Sequence, residues 1–479
     1  MSLNELNLKE SLKGLKAGEI TSLELTKACL DQIEKYDTDI KAFITVTKDQ
    51  ALKQAKEADD LIKKHGSDAF NKKPLLGIPY ACKDNFSTKG IQTTAASNIL
   101  RGYVPPYEST VTKRLKDAGA VLLGKTNMDA FAHGSTTETS DFLKTKNPWD
   151  FEKVPGGSSG GSAASLASDM CVFAIGSETA GSIRTPAAWC GVTGLKPSYG
   201  RVSRYGVVAM ASSTDSPGVL GKSVEDCAYV LKVIAGKDPY DATSSHLEVD
   251  DYALGLEKYD IKKLRIGKPK SYFNLDLEKG MREKIEEAIE VYKSLGAKIV
   301  EIDLLDPKYS IAVYTILQRS EVSSNLARYD GIRYGNDRSS FGFEAKKRVM
   351  LGTYTLSAGY YDAYYSKAQK VRTVIVEDFN KSFSKVDLII GPVMPCVAMN
   401  FGESEKSSMF GELMDVLNEP SAIAGLCAIN LPCGFLNALP IGVQLIGPMG
   451  KEELLLSAAY RYQQVTNYHK EKSKLCHRP

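Results

Sequence analysis

Two Gly-Gly pairs enclose two serines in the stretch 154–164, VPGGSSGGSAA, and a lysine, Lys83, closes an apolar run in LLGIPYACKDNF (75–86). A Gly/Ser-rich run is either a flexible tether or a shaped catalytic loop. A tether separates independent apolar units. This run continues without a break into SLASDMCVFAIGS, small and apolar residues suited to a packed helix and a buried strand, so we read it as part of a core. A serine nucleophile needs a base. The chain has five histidines (65, 133, 246, 469 and 477), four of them in charged or polar surroundings, so a Ser-His-Asp triad is poorly supplied. His133, in DAFAHGSTTE, is the one near apolar sequence, and a lone histidine there reads as structural. Lysine can act instead if burial lowers its pKa from about 10.4 far enough for a neutral amine to exist. Lys83, at the end of an apolar run, is well placed for that.

These residues need a scaffold. Thr21 and Glu24 form a capping box, and Leu25, Cys29 and Ile33 recur on one helical face behind it. LLGIPYACKDNF reads as a short buried strand running into a polar turn at Lys83-Asp84-Asn85. VTKRLKDAGAVLLGKT reads as a helix with Val111, Leu115 and Ala118 on one face, capped by Gly119, then a buried strand, AVLL. MREKIEEAIEVYKSLGAKIVEIDL (281–304) repeats the pattern, its helix ended by Gly296. Helix–Gly–strand units of this kind argue an α/β fold with a largely parallel or mixed sheet. Residues 238–251, DPYDATSSHLEVDD, read as an exposed loop and a candidate domain boundary. Gly119 to Thr126 matches GxxxxGK[ST] letter for letter, but its four intervening residues are strand-forming and what precedes Gly119 is helical. The order a phosphate-binding loop requires is reversed, so we read a helix cap and a strand.

The chain of 479 residues is 43% hydrophobic and 25% charged, ordinary for a globular protein, and its net charge of +3 gives no strong field for nucleic acid or membrane. Nine scattered cysteines without a CxxC pair argue against both a disulfide framework and a zinc site, and for a reducing compartment. The first residues lack the pattern of a signal or transit peptide, and no apolar run approaches the ~18 residues that span a bilayer. The expected location is cytoplasmic, with an organelle left open.

Lys83 in ACKDNF, PGGSSGGSAA (155–164) and GSETAGSIRTPAA (176–188) resemble the amidase signature family. The similarity continues through TKNPWD (145–150), GLKPSYGRVSRYG (194–206), SSNLARYDGIRYG (323–335), LGTYTLSAGYYDAYY (351–365) and PCGFLNALPIGVQLIG (432–447), and covers essentially the whole chain. The later stretches are most similar to the family's glutamine-hydrolysing subunits of tRNA-dependent amidotransferases. The resemblance implies an α/β fold with a large mixed sheet flanked on both faces by helices, as one domain over 1–479 with a helical segment, about 1–65, packed on the core. It implies a Ser–cis-Ser–Lys triad of Ser182 (nucleophile), Ser158 (bridging serine) and Lys83 (base), with backbone N–H groups of Thr179, Ala180, Gly181 and Ser182 as the oxyanion hole. For glutamine it implies Arg348 on the α-carboxylate, Asp415 on the α-amino group and Tyr314 as a further contact. It implies no metal or cofactor in this chain; ATP and Mg would be used by a partner, one of two further subunits, B and C, with charged tRNA held mainly by the partner.

The nucleophile segment departs from the family's Asp-(Thr/Ser)-Gly-Gly-Ser-Ile-Arg-Gln-Pro by Glu178, Ala180 and Thr185. A Cβ at position 180 would cost roughly 1 kcal/mol if the site required positive φ. SSTDSPGVLG (212–221) and the short YGNDRSSFGFE (334–344) depart further. The rival readings are a free-standing amidase, a nucleotide-binding protein and a non-catalytic assembly subunit.

Overall fold

The computed structural model describes residues 2–332, 334–407 and 409–476; His477 lies outside them. Among the described residues eleven strands form one mixed sheet: β1 (Phe43–Val46), β2 (Pro79–Lys83), β3 (Val121–Thr126), β4 (Phe173–Glu178), β5 (Thr193–Lys196), β6 (Ser216–Gly221), β7 (Arg265–Pro269), β8 (Lys298–Ile302), β9 (Leu388–Pro392), β10 (Cys427–Leu436) and β11 (Leu439–Gly447). Their spatial order is β1-β3-β2-β4-β6-β5-β10-β11-β9-β7-β8. β2 runs parallel to β3 and β4, and β7 parallel to β8 and β9, while the centre is antiparallel.

The strands carrying chemistry are apolar on both sides. Tyr80, Cys82, Phe173 and Ile175 enter one hydrophobic cluster, whereas Ala81, Val121, Leu123 and Ala174 enter a second. Strands buried on both faces need no polar alternation, which is why PYACK and FAIGSE read as continuous runs. Because β2, β3 and β4 are parallel, Lys83, Thr126 and Glu178 end on the same edge of the sheet. Open α/β sheets place their ligand sites at that carboxyl edge.

The local expectations largely hold. Thr21 and Glu24 make both halves of the capping box at the start of the helix Ser22–Ile40, and Leu25, Cys29 and Ile33 are buried on its inner face. The glycine-rich stretch passes directly into the helix Gly160–Ala167 and then β4. Gly119 lies one residue beyond the cap of the helix Thr110–Asp117, with φ +84. The P-loop look-alike is strand β3, laddered to β1 and β2. Lys125 is fully buried there, with its amine 3.3 Å from the Asp84 carboxylate.

The segment 238–251 is mostly exposed, as read, but three of its side chains turn inward. Asp238, Asp241 and Ser244 are buried. Asp241 accepts the Arg204 guanidinium at 2.8 Å, and Asp238 accepts the hydroxyls of Thr110 and Ser203 at 2.5 Å each. Carboxylates that find such donors pin an otherwise exposed polar segment to the body of the protein. The next strand, β7, joins the same sheet, so this segment does not separate two sheets. The short connection 334–344 holds one turn of 3-10 helix, Arg338–Ser340, before the helix Phe343–Leu356.

Candidate active site

Lys83 is fully buried at the end of β2. Its amine lies 2.8 Å from Ser158 Oγ, 2.8 Å from Ser159 Oγ and 3.0 Å from the Ser177 carbonyl oxygen. Burial pushes its pKa down to about 7, against the opposing pull of Asp129, Asp215 and Glu178. Near neutrality about half of such amines are uncharged and hold a lone pair.

The glycines beside Ser158 are required by close approach. Gly156 has φ +84, the Gly157–Ser158 peptide is cis, and a Cβ on Gly157 would fall 2.1 Å from an Asp129 carboxylate oxygen. The same carboxylate would meet a Cβ on Gly134 at 2.4 Å. Asp129 is thus wedged between two glycines, fully buried, and accepts Thr137 N (2.9 Å), Thr139 N (3.3 Å) and Thr139 Oγ1 (2.9 Å). The sequence does not single out Asp129, and shows Ser159 only as one of the two serines of the glycine-rich stretch. The tight glycine spacing was the available signal, but it does not reveal what approaches the backbone.

Ser182 sits where β4 turns into the helix Arg184–Cys190. Glu178 holds this turn: its carboxylate accepts Ile183 N (3.1 Å) and Arg184 N (3.2 Å) and makes a fully buried ion pair with the Arg184 guanidinium. The guanidinium returns to the Ala180 carbonyl at 2.8 Å. The longer glutamate therefore caps the start of the helix and anchors the loop from within. Ala180 is absent from the residues of positive φ, so its Cβ brings no backbone strain. Gly181 does have to be glycine, since a Cβ there would lie 2.2 Å from Asp415 Oδ1. The N–H groups of Thr179, Ala180, Gly181 and Ser182 donate to no other described residue, which leaves four backbone donors beside the Ser182 hydroxyl. The Ser182 hydroxyl makes no hydrogen bond to Ser158; the two segments are joined instead by Ser159 N donating to the Ser182 carbonyl at 3.1 Å.

A narrow cleft brings Ser182 together with Tyr314, Arg348 and Asp415, flanked by Ser135 and Met210. Tyr314 comes from the helix Lys308–Leu326, and its hydroxyl is 2.7 Å from Thr179 Oγ1. Arg348 comes from Phe343–Leu356; its Nε donates to Glu344 at 2.7 Å. Asp415 follows the short helix Phe410–Met414 and accepts Ser135 Oγ and Thr185 Oγ1, each at 2.7 Å. Burial pushes its carboxyl up to about 7, against the stabilising effect of those two hydroxyls. Thr185, the third departure from the family pattern, therefore steadies Asp415. His133 is fully buried with neither ring nitrogen hydrogen-bonded, and burial, aided by the nearby Arg348 and Arg319 charges, keeps it neutral. It serves no serine as a base.

Among the described residues no group of three or more His, Cys, Asp or Glu side chains could hold a metal ion, and no helix is long and apolar enough to cross a membrane.

A mixed α/β sheet with a less basic buried lysine among paired serines, and a further serine in a cleft with opposite charges, has the layout of a serine hydrolase in which lysine stands where histidine is more usual. The amidase family profile matches residues 24–456, and the chain belongs to the amidase family. It is 50% identical to the glutamyl-tRNA(Gln) amidotransferase A-subunit of Carboxydothermus hydrogenoformans, over 99% of this chain and 100% of that one. Among solved structures it is similar to the glutamyl-tRNA(Gln) amidotransferase A-subunit of Thermotoga maritima (TM-score 0.82, 39% identity, 97% of this chain and 96% of that one). It is also similar to the peptide amidase of Stenotrophomonas maltophilia (TM-score 0.82, 30% identity, 96% and 97%).

Proposed function

We propose that this chain is the glutaminase subunit of a tRNA-dependent amidotransferase, hydrolysing glutamine to glutamate and ammonia. The observation that carries the reading is the cleft in which Ser182 lies with a buried arginine and a buried aspartate, complementary to the carboxylate and ammonium of a free amino acid. Neutral Lys83 takes a proton from Ser158, Ser158 takes the proton of Ser182, and Ser182 Oγ attacks the side-chain amide carbon. The contact between Ser158 and Ser182 tightens when substrate is bound, as catalytic hydrogen bonds commonly do. Negative charge on the amide oxygen is met by the free N–H groups of residues 179–182, each well-aimed donor being worth about 3–4 kcal/mol. The C–N bond breaks as the relay runs back to protonate the leaving nitrogen, and ammonia departs. Water then attacks the acyl-serine ester, with Lys83 and Ser158 again accepting its proton, and glutamate is released.

Arg348 would hold the α-carboxylate, Asp415 the α-ammonium, and Tyr314 would pack beside them. A glutaminase by itself only consumes glutamine, so the reading includes two partner subunits, B and C. One of these uses ATP and Mg to activate glutamate, or aspartate, carried on tRNA, and binds most of that tRNA; no cofactor is assigned to this chain. One domain over 1–479 and a cytoplasmic location belong to the same reading. The nine unpaired cysteines support a reducing compartment.

The test is ammonia release from L-glutamine by the purified chain, alone and with its partners, for wild type and Ser182→Ala, beside simple amides. Ser182-dependent release favouring glutamine is expected. Release from simple amides alone would mean a free-standing amidase, and none in any combination an assembly subunit.

A further inference from the structure

We propose that Ser159 is a positioning residue: by donating its hydroxyl proton to the Ser177 carbonyl, it leaves the Lys83 lone pair facing Ser158 and no other group. The proposal rests on the reading of Lys83 and Ser158 as a proton relay.

The number of hydrogens available around Lys83 fixes the arrangement. A neutral amine has two N–H bonds and one lone pair, and the Lys83 amine has three neighbours: Ser177 O at 3.0 Å, Ser159 Oγ at 2.8 Å and Ser158 Oγ at 2.8 Å. A carbonyl oxygen only accepts, so Ser177 O takes one N–H. Ser159 has a single proton and two polar neighbours, Lys83 Nζ and Ser177 O, the latter at 3.2 Å. Aimed at Lys83, that proton would leave the Ser159 and Ser177 oxygens facing each other with lone pairs only. Aimed at Ser177 O, it makes a hydrogen bond and frees Ser159 Oγ to accept the second N–H. The lone pair then remains for Ser158, whose proton is the one the base must take.

The surroundings hold Ser159 in this position. It is fully buried, its N–H donates to the Ser182 carbonyl at 3.1 Å, and its own carbonyl accepts Ala163 N at 3.1 Å. A Cβ on Gly176 would lie 2.9 Å from Ser159 Oγ, so the strand passes close beneath the hydroxyl. Without that hydroxyl, the second N–H is free to turn to Ser158, which would make Ser158 an acceptor and point the lone pair away from the relay.

Ser159→Ala, assayed for ammonia release from L-glutamine in the full chain with its partners, should lower kcat by roughly 10²-fold, within the span of general-base effects, with KM little changed. The charged amine loses one of three acceptors and holds its proton less tightly, so the acid limb of kcat/KM should move to lower pH. Ser159→Cys fills the volume but hydrogen-bonds weakly, and should resemble alanine. In a Ser158→Ala background the relay is already broken, so adding Ser159→Ala should change kcat less than about twofold. A kcat near wild type, full recovery by cysteine, an unmoved acid limb, or losses that add in the double variant would each overturn the proposal. If the wild type shows no Ser182-dependent release, the underlying reading fails and the proposal with it; release that is indifferent to Ser159 removes the proposal alone.

Discussion

The acid side of the pH profile tests the division of labour in the cleft most directly. The proposed relay requires Lys83 neutral, and the proposed recognition of a free amino acid requires Asp415 charged. Burial drives the lysine down and the aspartate up, bringing both to about 7. Below that midpoint lysine gains the proton that disables it as a base, and aspartate gains the proton that removes its charge, so the two losses multiply. At one pH unit below, each required form is present in about one molecule in eleven and both together in about one in 120. The acid limb of kcat/KM for glutamine should therefore approach a slope of two. Once glutamine is bound, its ammonium stabilises ionised Asp415, so kcat should fall with a slope of one. Initial rates of ammonia release from about pH 5 to about pH 9, at constant ionic strength and at glutamine concentrations spanning KM, separate the two limbs. Asp415→Asn should reduce the slope in kcat/KM to one while raising KM. Ser135→Ala removes a donor that favours the charged carboxylate, and should move the Asp415 limb to higher pH. A wild-type slope of one in kcat/KM would refute the argument, as would a slope of two that persists in kcat.

Three further outcomes follow from the geometry. Arg348→Ala should raise KM for glutamine roughly 10- to 100-fold while hydrolysis of simple amides changes little, the loss expected for a charged hydrogen bond; equal losses for both would assign Arg348 to folding. Gly181→Ala inserts a Cβ 2.2 Å from Asp415 Oδ1 and should weaken glutamine binding and lower stability by about 1–3 kcal/mol, read from KM and from urea unfolding; a neutral result would mean that this loop has room to yield. Lys125→Ala leaves Asp84 buried without its ion pair and should cost about 3–5 kcal/mol in urea unfolding, with nucleotide binding unchanged because its segment is a laddered strand and not a phosphate loop; a nucleotide titration of both proteins checks the second half.

Much of the local structure was determined by the sequence itself. The Thr21/Glu24 box starts its helix because both partners lie within one turn, and VPGGSSGGSAA reads as core because the apolar residues it must join follow at once. The burial of Lys83 is legible in the apolar run it ends, and Ser182, Tyr314, Arg348 and Asp415 are named through family resemblance. What the tertiary structure decided is how these groups are tuned. Asp415 is held by Ser135 and Thr185, 280 and 230 residues away along the chain. The approach of Asp129 to Gly157, the pairing of Asp241 with Arg204 and the three contacts of Lys83 span shorter separations, tens of residues, yet also lie beyond any local pattern. Capping and periodicity act over one or two turns, so a sequence displays them. Approaches across tens to hundreds of residues depend on the order in which strands join the sheet, with β10 closing against β5 at its centre, and no local pattern encodes that order.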